Sequence, residues 1–284
     1  MSASAAAMSL REEAFFTPMG ADRLFMFLHD AEQSQASVGV VLVHACAEEK
    51  HWAHRVYVNF GRSLAASGIP VLRFDVRGEG ESSREFEDVD LDTRIEDTVA
   101  AVQTLAGRRP DLARIVLLGH RTGSMVAAGA AARLGAQVAG LALWDPVYDG
   151  REYLLQVLRQ HLATQMATFG RVTTSREELL RQMDDGGWVY LEGYGFGGNF
   201  YRQLVASQWV RDPRVFERPV LIAEVGATAS VKLSNRLAGL AAVHPQITPV
   251  AVREAPFWRE TRDYHRSAPA LGRVTRAWLE KLCA

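Results

Sequence analysis

Cysteine and lysine are both scarce in this sequence of 284 residues. Cys46 and Cys283 are the only cysteines, and they lie far apart in the chain. They can form neither a disulfide framework nor a cysteine-built metal site, and no H-E-x-x-H motif compensates. We therefore expect a protein of a reducing compartment, the cytoplasm, with no metal and no cofactor. Lysine supplies only 3 of the 32 basic residues, so nearly all of the positive charge is arginine.

The chain also lacks a net charge and long apolar runs. Its 32 Lys and Arg against 33 Asp and Glu leave a formal charge of −1, which argues against nucleic acid as a partner. The longest apolar runs, at residues 38–43 and 115–118, fall short of the roughly 18–20 residues of a membrane span. Residues 1–10 lack the basic start of a signal peptide, and we expect a frayed leader. A small molecule is the expected partner, and an oligomer is possible.

Apolar runs alternate with helix-period segments in the first half of the sequence. This alternation is typical of a mostly parallel sheet with helices on both faces. An opening antiparallel pair is predicted at residues 15–17 and 24–28. Further strands are predicted at residues 38–44, 71–76, 115–119, 141–144, 220–223 and 247–252. Helices are predicted at residues 52–66, 95–105, 123–134, 231–242 and 267–282.

The alternation stops between residues 148 and 216. Two helical stretches, at residues 153–166 and 176–183, are followed by a segment rich in glycine and aromatic residues at 186–201. We predict an α/β core of residues 1–147 and 217–284 and a helical, aromatic lid insertion of residues 148–216. Ligands of such sheets bind at the carboxyl ends of the strands, where we expect the lid.

One turn has glycine on both sides of its central residue. The segment Gly119-His120-Arg121-Thr122-Gly123 joins a buried strand to a helix of small residues. This is the frame of the nucleophile elbow, G-x-S-x-G, in which a strained turn lifts one side chain above the sheet. The side chain at that position here is Arg121.

Motifs along nearly the whole chain resemble those of the α/β-hydrolases and, among them, the exosortase A system-associated hydrolases found near exopolysaccharide genes. The motifs are His44-Ala45-Cys46-Ala47-Glu48-Glu49 with Arg55, Asp75-Val76-Arg77-Gly78-Glu79-Gly80-Glu81-Ser82, the glycine-flanked turn, Trp144-Asp145-Pro146-Val147 with Gly150, Leu158-Arg159, Gly193-Tyr194 and Pro256-Phe257-Trp258. Ala45, Cys46 and Asp145 depart from the family's usual Pro, Phe and Gln. The resemblance implies an α/β-hydrolase fold and a role in polysaccharide or secondary-metabolite assembly.

A hydrolase of this fold needs a nucleophile on the elbow, an acid after a later strand and a histidine near the end. The protonated guanidinium of Arg121 cannot attack a carbonyl. Thr228 stands where the acid is expected, with Glu224 out of register. The loop of residues 254–258 contains no histidine, and His265 comes only later. We therefore predict a degenerate triad and a pseudoenzyme.

The loop after the strand that ends at His44 carries charged residues that should face the elbow. Glu48 or Glu49 beside Arg121 would form a charge pair. In one interpretation Arg121 grips a carboxylate or phosphate of a ligand, and in the other the pair only holds two loops together. Cys46 with a nearby histidine is a second possible nucleophile, although a cysteine at the end of a buried strand is more often inert.

Three functions remain open. The first is binding of a small acyl or glycosyl ligand with an anionic head and an apolar or sugar-like body. The residues predicted to bind it are Arg121, His120, Thr122, Glu48, Glu49, Asp145, Trp258 and Tyr194. The second is an active hydrolase or acyltransferase of the ester, thioester or amide class that uses Glu48, Glu49, Cys46 or His44. The third is a non-catalytic interaction subunit.

Overall fold

An eight-stranded, mostly parallel sheet forms the centre of the computed structural model, which describes residues 9–32, 34, 36–228, 230–261 and 264–283. Residues 1–8 of the predicted leader lie outside the described residues. The strands are β1 (Leu10–Met19), β2 (Asp22–Ala31), β3 (Val38–Val43), β4 (Val71–Phe74), β5 (Arg114–His120), β6 (Val138–Trp144), β7 (Trp188–Leu191), β8 (Tyr194–Gly197), β9 (Val220–Gly226) and β10 (Ile247–Arg253). The α-helices are α1 (Ala47–Ala65), α2 (Leu91–Arg108), α3 (Thr122–Leu134), α4 (Gly150–Phe169), α5 (Arg176–Asp184), α6 (Gly198–Ala206), α7 (Asn235–Val243) and α8 (Pro269–Cys283).

The strand order of the large sheet is β1-β2-β4-β3-β5-β6-β9-β10. β1 and β2 form an antiparallel hairpin, β2 pairs antiparallel with β4, and the other neighbours are parallel. Every residue of β3 is buried, which is typical of a central parallel strand with helices on both of its faces. The carboxyl ends of β3, β5, β6 and β9 therefore meet at one edge of the sheet.

Two apolar clusters lie on opposite faces of the sheet. α1 and α8 cover one face, where Tyr57 and Trp278 are among the buried residues. α2 and α3 cover the other face, together with side chains from α4, α5 and α6. Residues within one strand alternate between the faces, as Val41 and Leu42 of β3 do. The predicted parallel sheet with helices on both faces is therefore confirmed.

The predicted start of α1 is wrong, and one hairpin was not predicted. α1 begins at Ala47 rather than at residue 52, so Glu48 and Glu49 lie in the first turn of a helix and not in a loop. Acidic residues at this position favour an early start because they complement the positive end of the helix dipole. The segment 186–201 contains the hairpin β7–β8. Its two loop residues, Glu192 and Gly193, both have positive φ, as a two-residue hairpin turn requires.

The segment between β6 and β9 packs against the N-terminal end of α2. Asp90 caps α2 by accepting a hydrogen bond from the Thr93 amide at 2.9 Å. The same carboxylate accepts a hydrogen bond from Gln203 of α6 at 3.1 Å, so Asp90 connects α6 to the start of α2. Among the helices of the described residues, none is long and apolar enough to cross a membrane.

Candidate functional site

Arg121 forms the tip of the turn between β5 and α3. Its φ of 53° and ψ of −121° are unfavourable for a residue with a side chain. Gly123 allows this turn to approach β3, because a Cβ there would lie 2.3 Å from the carbonyl oxygens of Val43 and His44. The strand, strained turn and helix of an elbow are therefore present.

Two carboxylates bind the guanidinium of Arg121. Its Nε lies 3.1 Å from Oε1 of Glu49, and its Nη1 lies 3.1 Å from Oδ2 of Asp145. Nη1 also donates to the Asp145 carbonyl oxygen at 3.3 Å. Only 8% of Arg121 is exposed. Of the two glutamates predicted to face the elbow, Glu49 makes the pair, whereas Glu48 accepts a hydrogen bond from Trp52 of its own helix.

Aromatic rings cover the same guanidinium. The Arg121 Cζ lies 5.3 Å from the ring centre of Trp258 and 5.8 Å from that of Tyr153. The Tyr153 hydroxyl donates to Oε2 of Glu49 at 3.3 Å, so each oxygen of that carboxylate has a partner. Asp145 is held as well, since its Oδ1 accepts from the Val225 amide at 3.0 Å. Each carboxylate oxygen of the cluster therefore has a hydrogen-bond partner within the protein.

Burial and charge act against each other in this cluster. Burial raises the pKa of Glu49 and of Asp145, and the charge of Arg121 counteracts part of that effect. Although burial opposes it, the two carboxylates raise the pKa of Arg121. Arg121 therefore keeps its charge at every physiological pH.

The amide of Cys46 has a partner that bears on catalysis. In this fold the oxyanion hole consists of the amide after the nucleophile and an amide from the loop after β3. The Cys46 amide, which lies in that loop, donates to Oγ1 of Thr122 at 3.0 Å. The hydroxyl of Thr122 therefore accepts the hydrogen bond of an amide in this loop.

His120 and the Cys46 thiol are buried, and the rings of His44 and His120 both contact Tyr57. His120 is fully buried, shares a hydrogen bond of 2.6 Å with the Tyr57 hydroxyl, and stacks on Phe257. His44 stacks on the Tyr57 ring at 4.6 Å. Burial lowers the pKa of both histidines and raises the pKa of the Cys46 thiol. The Sγ atom of Cys46 lies 3.9 Å from the Tyr153 hydroxyl.

The residues near the predicted acid position form hydrogen bonds of their own or face solvent. Glu224, in β9, accepts hydrogen bonds from Tyr148 at 3.0 Å and from the Ser234 hydroxyl at 2.6 Å. Thr228 is exposed. The loop after β10 brings Trp258 over the elbow instead.

A cavity of about 260 Å³ lies beside this cluster, at the carboxyl edge of the sheet. It is bounded by the start of α1, by α4, by the β7–β8 hairpin and by the loop after β10. Its lining residues are Cys46, Ala47, Glu48, Glu49, Tyr153, Gln156, Val157, Gln160, Thr164, Leu191, Glu192, Tyr194, Phe196, Trp258, Arg259 and Glu260. We call this cavity the lid pocket. Arg121 is not part of the lining; Glu49, Tyr153 and Trp258, which contact it, are.

Strained backbone is concentrated around the lid pocket and the elbow. Five non-glycine residues of the described chain have positive φ, and four of them are Ala47, Arg121, Asp145 and Glu192. Each such residue costs of order 1–3 kcal/mol, and such strain tends to cluster at functional sites. The lid pocket with the Arg121 cluster is therefore the candidate functional site.

Several lining residues escaped the sequence analysis. Gln156, Gln160 and Thr164 follow one face of α4 at a spacing of four residues, a signal that the sequence does contain. Glu192 could have been found from the Glu-Gly pair between two short strand-like runs. Within the described residues, no group of three or more His, Cys, Asp or Glu side chains is arranged to hold a metal ion.

The sheet order, the lid and the elbow define the α/β-hydrolase fold. The family model of the serine aminopeptidases, S33, matches residues 34–185, which is more than half of the chain. This protein belongs to that family. A search of curated proteins finds no significant match.

Solved structures of the same fold cover nearly the whole chain. Est1E from Butyrivibrio proteoclasticus, solved with ferulic acid bound, is 17% identical with a TM-score of 0.64 over 95% of this chain and 99% of its own. Cfl2 from Burkholderia cenocepacia is 20% identical with a TM-score of 0.55, over 94% and 95%. The thioesterase domain from the curacin biosynthetic pathway is 15% identical with a TM-score of 0.56, over 96% and 100%. At these identities the likeness concerns the fold alone.

Proposed function

We propose that this protein is a ligand-binding pseudoenzyme of its family, in which the serine chemistry has been lost. The observation that carries the proposal is Arg121 at the tip of the elbow, paired with Glu49 and Asp145. A guanidinium that stays protonated has no lone pair with which to attack a carbonyl. Cys46 and Thr122 support the same conclusion, since their hydrogen bond occupies one oxyanion donor.

The ligand would bind in the lid pocket as a small organic molecule. The pocket is open and lies where ligands of α/β sheets bind. Est1E, which shares the fold, holds ferulic acid. The acyl or glycosyl body predicted from the sequence, a cytoplasmic location and a role in polysaccharide assembly belong to this proposal; the last rests on the resemblance to exosortase A system-associated hydrolases.

The geometry favours a structural role for Arg121 over an anion clamp. A ligand carboxylate or phosphate would have to displace Glu49 or Asp145 before it reached the guanidinium. Glu49 also holds Tyr153, so its displacement would break two interactions at once. An anionic head group is therefore the least supported part of the ligand predicted from the sequence.

The rival functions have weaker support. A cysteine enzyme would need a thiolate, and burial raises the pKa of Cys46 while His44 stacks on a tyrosine instead of reaching the thiol. A pure interaction subunit would have no use for an open cavity at the ligand edge of the sheet, and the lid pocket favours ligand binding for that reason.

The absence of serine hydrolase activity can be tested directly. The purified protein is treated with a fluorophosphonate probe and analysed by intact mass spectrometry, and a series of p-nitrophenyl esters is assayed in parallel. We expect no covalent adduct and no ester turnover above buffer, for the wild type and for Arg121→Ala alike. Turnover that disappears in Cys46→Ala would establish the cysteine rival instead. Stoichiometric labelling of any hydroxyl would contradict the proposal.

A further inference from the structure

The charge of the lid pocket is set by its lining and not by Arg121. Glu49 and Tyr153 stand between the pocket and the Arg121 guanidinium. Glu49 and Asp145 together carry two negative charges against the single positive charge of Arg121. The elbow therefore contributes no positive field to a ligand in the pocket.

The lining itself is strongly acidic. Its carboxylates are Glu48, Glu49, Glu192 and Glu260, against the single guanidinium of Arg259. Oε1 of Glu192 lies 3.1 Å from Nδ1 of His161. In the described part of the chain, neither Glu48 nor Glu260 forms an ion pair. A cavity with walls of low dielectric focuses such a field and attracts positive charge.

The remaining walls suit an organic cation rather than a hydrated metal ion. Tyr194, Phe196 and Trp258 present aromatic surface, which attracts both apolar groups and cations. Gln156 and Gln160 offer amide groups from α4. At about 260 Å³, the cavity is slightly smaller than the usual ligand pocket of about 300–1,000 Å³, which favours a compact ligand.

We propose that the lid pocket binds a small primary ammonium compound with an aromatic or short apolar body. The ammonium donates to the carboxylates of Glu48 and Glu260, and the body packs against the aromatic wall of Tyr194 and Trp258. This inference rests on the proposed ligand-binding function and specifies the charge of the ligand.

Three probes with a similar body and different charge test the proposal: 2-phenylethylamine, 2-phenylethanol and 3-phenylpropanoate. Binding is measured by titration with NMR detection of the lid-pocket residues. Because a hydrogen bond to a charged group is stronger than one between neutral groups, we expect the amine to bind about tenfold or more tightly than the alcohol, and the acid to bind most weakly. Of the three affinities, added salt should weaken only that of the amine.

Variants of the full chain test whether the amine binds to the carboxylates of the lid pocket or to carboxylates elsewhere on the surface. The double variant Glu48→Gln, Glu260→Gln should lose about tenfold in affinity for the amine and keep its affinity for the alcohol. Glu280→Gln, an exposed glutamate at the end of α8, is the matched control and should bind like the wild type. Equal loss for the amine and the alcohol would show a structural effect and overturn the assignment of these carboxylates.

The outcomes also separate this inference from the proposed function. If the alcohol or the acid binds in the lid pocket at least as tightly as the amine, the ammonium proposal falls and the ligand-binding function stands. If none of the three probes shifts the resonances of the lid-pocket residues at millimolar concentration, both proposals fall.

Discussion

Arg121 occupies a backbone conformation that costs a residue with a side chain of order 1–3 kcal/mol. In a hydrolase this strain exposes a nucleophile; here it directs a guanidinium between Glu49 and Asp145. Asp145 also has a positive φ, so two strained residues meet in one ion cluster. Both carboxylates have hydrogen-bond partners in this cluster, which explains how a buried arginine and two largely covered carboxylates are accommodated at the edge of the sheet.

Replacement of Arg121 should therefore lower the free energy of unfolding. Arg121→Ala leaves two carboxylates, 18% and 21% exposed, without their cation. Since breaking a fully buried pair in this way typically costs about 3–5 kcal/mol, we expect a loss of up to that size. Urea denaturation should show this loss at pH 7. Arg133→Ala, which breaks an exposed pair with Asp92, is the control and should cost less than about 1 kcal/mol.

A second variant distinguishes lost charge balance from lost packing. In Arg121→Ala, Glu49→Gln, Asp145→Asn the uncompensated carboxylates are gone, and we expect part of the stability to return. A triple variant no more stable than Arg121→Ala would show that packing of the arginine against Trp258 and Tyr153 dominates.

At the scale of elements, the elbow depends on the contact between α3 and β3. Gly123 brings the first turn of α3 within backbone contact of Val43 and His44. Gly123→Ala would place a methyl group 2.3 Å from two carbonyl oxygens, so the strand and the helix would have to separate. We expect a severe loss of thermal stability or of soluble protein.

Gly239→Ala is the matched control for this substitution. Gly239 lies in α7, and a Cβ there would have nothing within 4 Å. Alanine is the better helix former by about 0.5–1 kcal/mol, so the control should be slightly more stable than the wild type. Equal melting temperatures for Gly123→Ala and the wild type would contradict the close approach of α3 to β3.

The elements with strong periodicity could be predicted from the sequence, and those set by turns could not. The continuous apolar run of β3 predicts a buried strand, and the small residues of α3 predict a helix packed closely on the sheet. Both elements lie where they were predicted. The start of α1 was placed five residues late because a charged first turn shows no apolar period. The hairpin β7–β8 was missed because each of its strands has only four residues.

The candidate site was predictable only where the chain is locally regular. The elbow and the pair between Arg121 and Glu49 follow from the fold, since Arg121 follows β5 and the first turn of α1 follows the adjacent strand β3. Asp145 was predicted to bind ligand, which stays a prediction; its ion pair with Arg121 was not foreseen. The convergence of Glu192 and Glu260 depends on how the lid folds over the sheet, and no local pattern encodes it.

For the molecule as a whole, a buried histidine in β2 makes stability depend on pH. His29 is fully buried, and Arg73 donates to its Nε2 at 2.8 Å, so the proton of the neutral ring lies on Nδ1, which faces Glu12 at 2.6 Å. Burial and the charge of Arg73 lower the pKa of His29 to about 4.

Protonation of the unfolded chain should therefore destabilise the fold in mild acid. Between pH 6.5 and 4 an unfolded His29 binds a proton that the native ring does not, so stability falls as the pH decreases, by up to about 3 kcal/mol. Urea denaturation from pH 7.5 to 4.5 should show a shallower pH dependence for His29→Gln than for the wild type. The exposed His51→Gln variant is the control and should keep the slope of the wild type. An unchanged slope in His29→Gln would mean that this ring takes up its proton in the native state as readily as in the unfolded chain.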